Sequence, residues 1–157
     1  MNPTIAGFML FVTNVMGITT TQLPANSPVI PFVYNISMNT VNSALTQVPN
    51  FDPSQPTIYA VAVYNLAADL LLNFAPNNPA APPPDSTYFT DNRAKMGLNS
   101  FVGGVISSTS DNSTSESLST PDWTTGLTID QLSNLNTPYG RVYLGIAMKY
   151  GALWGLT

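Results

Sequence analysis

The chemistry open to this chain rests first on its carboxylic acids: Asp52, Asp69, Asp85, Asp91, Asp111, Glu116, Asp122 and Asp130. Acid–base work of the glycosidase kind needs two carboxyls held close together. Most of these acids fall in loops or at helix starts, where Asp is a routine cap. Asp69 alone lies inside a strongly apolar helical stretch. There it is either a perturbed acid or, on the plainer reading, a solvated or inter-subunit contact. The chain has no His and no Cys. That removes the usual near-neutral base, the commonest metal ligand, the thiolate nucleophile and any disulfide. Gly103-Gly104 is not followed by a P-loop Lys, and no GxGxxG follows a strand. The Ser-rich run holds no GxSxG, and a Ser–His–Asp triad lacks its His. The stretch DNSTSESLS has too few acids for a calcium loop. Asn35-Ile36-Ser37 and Asn112-Ser113-Thr114 match a glycosylation acceptor, as chance allows in a chain with 16 Asn, 14 Ser and 18 Thr. No catalytic constellation emerges, and neither cofactor nor metal is expected.

Binding chemistry is the remaining class. Tyr139, Tyr143 and Tyr150 recur at helical spacing and could stack on sugar rings or bases. Aromatics so spaced more often line a core or an interface, and the interface reading is preferred. Trp154, in an apolar chain end, points the same way, since Trp is a frequent interface anchor. Charged residues are 8% of the chain and the net charge is −4, against a usual charged share of about 25%. The four cations, Arg93, Lys95, Arg141 and Lys149, are scattered. They cannot form the basic patch that phosphate neutralisation needs, so tight DNA binding is not expected.

The elements that must position these residues read as one domain of 157 residues, a helical bundle of four to five helices with one β-hairpin and an extended C-terminal tail. Pro3 and Thr4 open the first helix, Ile5, Phe8, Met9, Val12, Val15 and Met16 follow helical spacing, and Gly17 closes it. Leu10 and Phe11 fall off that stripe and predict a second buried face. The apolar run is about 12 residues, short of the roughly 20 that span a bilayer. No Lys or Arg precedes it as in a signal peptide, so no membrane contact is expected. Ser27-Pro28 predicts a cap and first position for a second helix with Ile30, Tyr34, Met38, Val41 and Leu45 on one face, stopped by Val48-Pro49. Asn35, Asn39 and Asn42 sit on its polar side.

Gln55-Pro56 begins a third helix, apolar on nearly all sides, ending near Phe74. Its Asn65, Asp69 and Asn73 form one narrow stripe that faces water or another polar surface. Residues 75–86 are Pro-rich and read as a stiff surface linker. A short helix over Thr90 to Asn99 follows, capped by Thr90 or Asp91. Residues 101–120 predict the hairpin, Thr128 to Leu135 a short helical piece, and Thr137-Pro138 the cap of a last helix ending at Tyr150. Residues 151–157 form the tail.

The C-terminal third, FVGGVISSTSDNSTSESLS followed by NTPYGRVYLGIAMKYGALWG, resembles the tailed-phage head-to-tail connector family, also called adaptor or head completion proteins. The matching positions are Gly104, Val105, Ser107, Ser108, Thr137, Pro138, Tyr139, Gly140 and Tyr143. The apolar helix YAVAVYNLAADLLLNF is similar to the family's central helix. The early helices, the long Pro-rich stretch and the apolar tail depart from the family pattern. The resemblance implies a dodecameric ring seated under the portal protein, continuing the DNA channel toward a tail or nozzle protein. It implies a portal contact at Tyr150, Leu153, Trp154 and Leu156, and a ring contact at Leu10, Phe11, Tyr139 and Tyr143. The expected place is the virion neck, reached from the host cytoplasm. Another tail-completion or minor capsid role, or a surface carbohydrate-binding module using the tyrosines, are the alternatives.

Overall fold

The structure, a computed structural model, describes residues 2–99, 108–111, 114–117 and 134–150. The described part is mainly helical. Five α-helices run α1 (Ile5–Asn14), α2 (Val29–Thr40), α3 (Ile58–Phe74), α4 (Tyr88–Lys95) and α5 (Pro138–Lys149). Two strands, β1 (Ser108–Asp111) and β2 (Thr114–Ser117), pair antiparallel with Ser108 opposite Ser117 and Asp111 opposite Thr114. The remainder of the hairpin expected over 101–120, nearly all of the helical piece expected from Thr128, and the 151–157 tail lie outside the described residues.

Helix α3 is the axis of the bundle, touching α1, α2, α4 and α5. It is buried on almost every side, with Ala60, Ala62, Val63, Ala67, Ala68 and Leu71 no more than 1% exposed. Its alanines let neighbouring helices approach closely, and larger residues such as Phe8, Val33 and Phe89 fill the space between them. Thr57 caps its start, accepting from Ala60 N at 3.2 Å. Among the described residues no helix is long and apolar enough to cross a membrane.

Helix α1 begins as its sequence predicts, with the Thr4 hydroxyl accepting from Gly7 N at 3.0 Å. Gly17, at φ +69°, turns the chain afterwards. Tyr64 fastens this end to α3: its hydroxyl accepts from Thr4 N at 3.0 Å and donates to Thr4 O at 3.2 Å.

Helix α2 is shorter than expected. It starts after Pro28 with no side-chain cap and ends at Thr40. Val41 turns extended, and Asn42 caps a separate 3₁₀ turn over Ser43–Gln47 by accepting from Ala44 N at 2.8 Å. Asn offers the backbone a local partner that competes with the helix, which sequence periodicity does not register.

The Pro-rich stretch 75–86 is pinned to the bundle, where a surface linker was expected. Ala75 and Ala81 are buried, Asn78 Nδ2 donates to Thr21 O at 2.7 Å, and Gln22 Nε2 donates to Asp85 Oδ1 at 2.7 Å. Prolines restrict the chain without supplying donors, so the asparagines between them make the attachments. Asn77 also starts α4, two residues before the expected Thr90. Its Oδ1 accepts from Phe89 N at 3.0 Å and Thr90 N at 3.1 Å. Helix α4 ends early because Gly97 takes φ +69° and Leu98 N bonds back to Arg93 O at 2.9 Å, closing the helix in a left-handed turn.

Candidate functional site

The Thr137-Pro138-Tyr139-Gly140 element opens α5 against the middle of α3. Thr137 is the cap, with no exposure, and accepts from Gly140 N at 2.9 Å. Pro138 takes the first helical position, where no N–H is needed. The Thr137 hydroxyl donates to Asp69 Oδ1. One hydroxyl therefore links a carboxyl on α3 to the first turn of α5. Gly140 is required by proximity: a Cβ there would meet Asp69 Oδ1 at 2.7 Å and the backbone of Asn134.

Asp69 is 2% exposed. It is neither solvated nor an inter-subunit contact in this arrangement; this one residue of the polar stripe meets the start of α5 of the same chain. Burial pushes its carboxyl from 3.8 up to about 6, and the Thr137 hydrogen bond pulls partly back. Asn65 and Asn73 do not join the link. Their side-chain amides donate to their own helix, at Val61 O (2.8 Å) and Asp69 O (2.9 Å). A lone carboxyl sealed beneath a helix start can hold that helix, but a substrate cannot reach it. Among the described residues no group of three acids could hold a metal ion.

The residues expected at a ring contact fall in different environments. Leu10 is 62% exposed and points away from the core. Phe11 and Tyr139 are half-buried and face each other edge-on, with ring centres 6.0 Å apart. Phe11 also lies 5.9 Å from Tyr64. Tyr143 is buried in the core, and burial raises its hydroxyl pKa. Three of the four aromatic and apolar residues thus serve the α1–α3–α5 packing, wholly or in part. Of the residues expected at the portal, Tyr150 is half-buried against the core with Lys149 Nζ 5.8 Å from its ring centre. Leu153, Trp154 and Leu156 lie outside the described residues.

The outer faces hold exposed apolar side chains. Phe32 (56% exposed) and Ile36 share one side of α2, while Val142 and Met148 (56% exposed) flank Gly145 on α5. Phe51, between the 3₁₀ turn and α3, is 96% exposed. No family model matches the chain, and no curated protein or solved structure is significantly similar to it.

Proposed function

We propose that the chain is a structural adaptor of a phage virion neck, assembling as a ring below the portal and continuing the DNA channel toward the tail. The observation that carries this reading is the apolar surface left over after the core is complete. Leu10, Phe32, Ile36, Val142 and Met148 are exposed on three helices whose inner faces are already buried. Apolar side chains of this kind mark an association surface where they gather into one patch. The Thr-Pro-Tyr-Gly element that carries the family resemblance opens a helix whose first turn is bonded to the buried Asp69 of α3, an arrangement that suits a scaffold.

In this reading the ring is dodecameric. The 101–120 hairpin pairs with neighbouring copies or meets the next tail component. The tail, with Tyr150, Leu153, Trp154 and Leu156, reaches the portal. A carbohydrate platform made of Tyr139, Tyr143 and Tyr150 is disfavoured, because Tyr143 is buried and Tyr139 is turned toward Phe11. Negative-stain electron microscopy of the protein with its cognate portal tests the proposal. An added ring-shaped layer under the portal is the expected result. A monomer that never joins the portal overturns it.

A further inference from the structure

The carboxyl of Asp69 sits under the first turn of α5. The Thr137 hydroxyl donates to its Oδ1 and accepts from Gly140 N at 2.9 Å. The Gly140 backbone lies so close that an added methyl carbon would stand 2.7 Å from Oδ1. Asp69 is 2% exposed and Thr137 fully buried, so water is kept from the carboxyl while this turn is closed.

The cover suits a neutral carboxyl better than a charged one. A carboxylate offers about four acceptor sites. Here Oδ1 takes the Thr137 bond, and Oδ2 has only Asn73 Nδ2 at 3.5 Å, beyond a normal hydrogen bond. The N-terminal end of α5 favours negative charge, but the Gly140 N–H is engaged by the Thr137 hydroxyl and the Arg141 N–H by Thr137 O at 3.1 Å. Among the described residues no cation supplies the difference. Helix α3 itself carries Tyr59 and Tyr64, α1 carries no titratable group and α2 only Tyr34. Helix α4 brings Tyr88, Asp91, Arg93 and Lys95, and α5 brings Tyr139, Arg141, Tyr143 and Lys149. Arg93 is bonded to carbonyls at the end of α3, and Arg141 to Leu135 O. Burial and the Thr137 bond set the balance at Asp69. A buried charge without a partner is costly, and hydration relieves that cost.

The part of α5 with least to hold it is the part that covers the carboxyl. Farther along, Tyr143, Leu144, Ile146 and Ala147 are buried. In the first turn Pro138 and Arg141 are exposed, and the half-buried Tyr139 ring rests edge-on against Phe11. We infer that the first turn of α5 is a proton-controlled latch: it stays shut over Asp69 while the carboxyl carries its proton, and it opens more readily once the proton leaves. Opening parts Tyr139 from Phe11, so the proton also governs how firmly α1 and α5 are joined. The latch works within a single chain, whether or not copies assemble.

Residue-resolved hydrogen exchange of the full-length protein by NMR tests the latch, with rates corrected for the intrinsic effect of pH. Opening at the Gly140 and Arg141 amides should rise about tenfold between pH 5 and 7, the linkage expected of a carboxyl at about 6 when covered and 3.8 when open. It should level off where the Asp69 ¹³Cγ resonance titrates. Lifting one turn exposes little surface, so low urea should leave this opening unchanged while the buried Val63 and Ala67 amides of α3 speed up. In Asp69→Asn, which keeps an acceptor for Thr137 and cannot ionise, exchange at Gly140 and Arg141 should be flat across the same pH range. Wild type alone already decides the case if the variant does not fold. Exchange at these two amides that ignores pH, that levels off away from the Asp69 titration, or that follows the α3 amides in urea overturns the latch. So does a pH response that survives in Asp69→Asn.

Discussion

At Asp69, burial and hydrogen bonding pull in opposite directions, and burial wins. Its carboxyl titrates near 6 in the folded chain, against 3.8 as the ordinary value. The folded state therefore binds this proton more tightly than the unfolded state does. Stability from this group is fully present below pH ~4 and is lost as pH rises through about 6, with a total swing of roughly 3 kcal/mol. Asp69→Asn keeps an acceptor for the Thr137 hydroxyl and removes the charge. Its Tm should equal or exceed wild type at pH 7.5, by about 1–3 kcal/mol of stability, and the gap should close at pH 4. A variant less stable than wild type at pH 7.5 would show that the ionised carboxylate is the better partner. Gly140→Ala tests the same node from the other side. The added methyl meets the Asp69 carboxyl and the Asn134 backbone. Overpacking of this kind should cost about 1–3 kcal/mol in urea denaturation. Its apolar flanks single Asp69 out in the sequence, but the plainer reading there, a solvated or inter-subunit contact, is overturned by its burial. That its partner is Thr137 was not legible, because 68 residues separate the two.

Among the elements, α3 and α4 brace each other. Arg93 of α4 donates from Nη1 to Leu72 O (3.3 Å), Asn73 O (3.2 Å) and Ala75 O (2.9 Å), covering carbonyls that the end of α3 leaves without helical partners. A cation at a helix C-terminus also opposes the negative end of the helix dipole. In return Asn77, just past α3, caps α4. Arg93→Ala should lower stability by about 1–2 kcal/mol and speed amide exchange in the last turn of α3 and in Phe89 and Thr90, leaving α1 and α2 unchanged. Protection lost evenly across the molecule would contradict a local brace. The helices themselves were legible where a local signal exists. Thr4 and Thr137 each cap the helix that the sequence places there, whereas α3, expected to begin at Gln55-Pro56, is capped by Thr57 and starts at Ile58. Periodicity failed where the partner is remote, as with Asn77 twelve residues before Phe89. It failed also where a side chain competes with the helix, as at Asn42. Phe51 leaves no periodic signature, because it sits in a loop.

The whole molecule has few charges, and two of its cations are engaged with its own backbone. Arg93 covers the end of α3, and Arg141 Nη1 donates to Leu135 O at 3.0 Å. Filter binding at physiological salt should show no duplex DNA affinity tighter than ~10⁻⁴ M, the weak end of non-specific binding. Retention at lower concentrations would require a basic surface and would contradict the proposed role in lining a DNA channel. Association through apolar surfaces should strengthen in ammonium sulfate and change little between about 0.05 and 0.5 M NaCl; weakening over the NaCl range would point to ion pairs instead. The α3–α4 brace has a mechanical side as well. Arg93 and Leu72 are joined across 21 residues of sequence, so the Pro-rich stretch runs inside a closed loop. Tension entering α3 and leaving through α4 crosses the arginine fork and bypasses the prolines. That stretch, itself pinned at Asn78 and Asp85, would lengthen only after the Arg93 bonds and then its own attachments had broken.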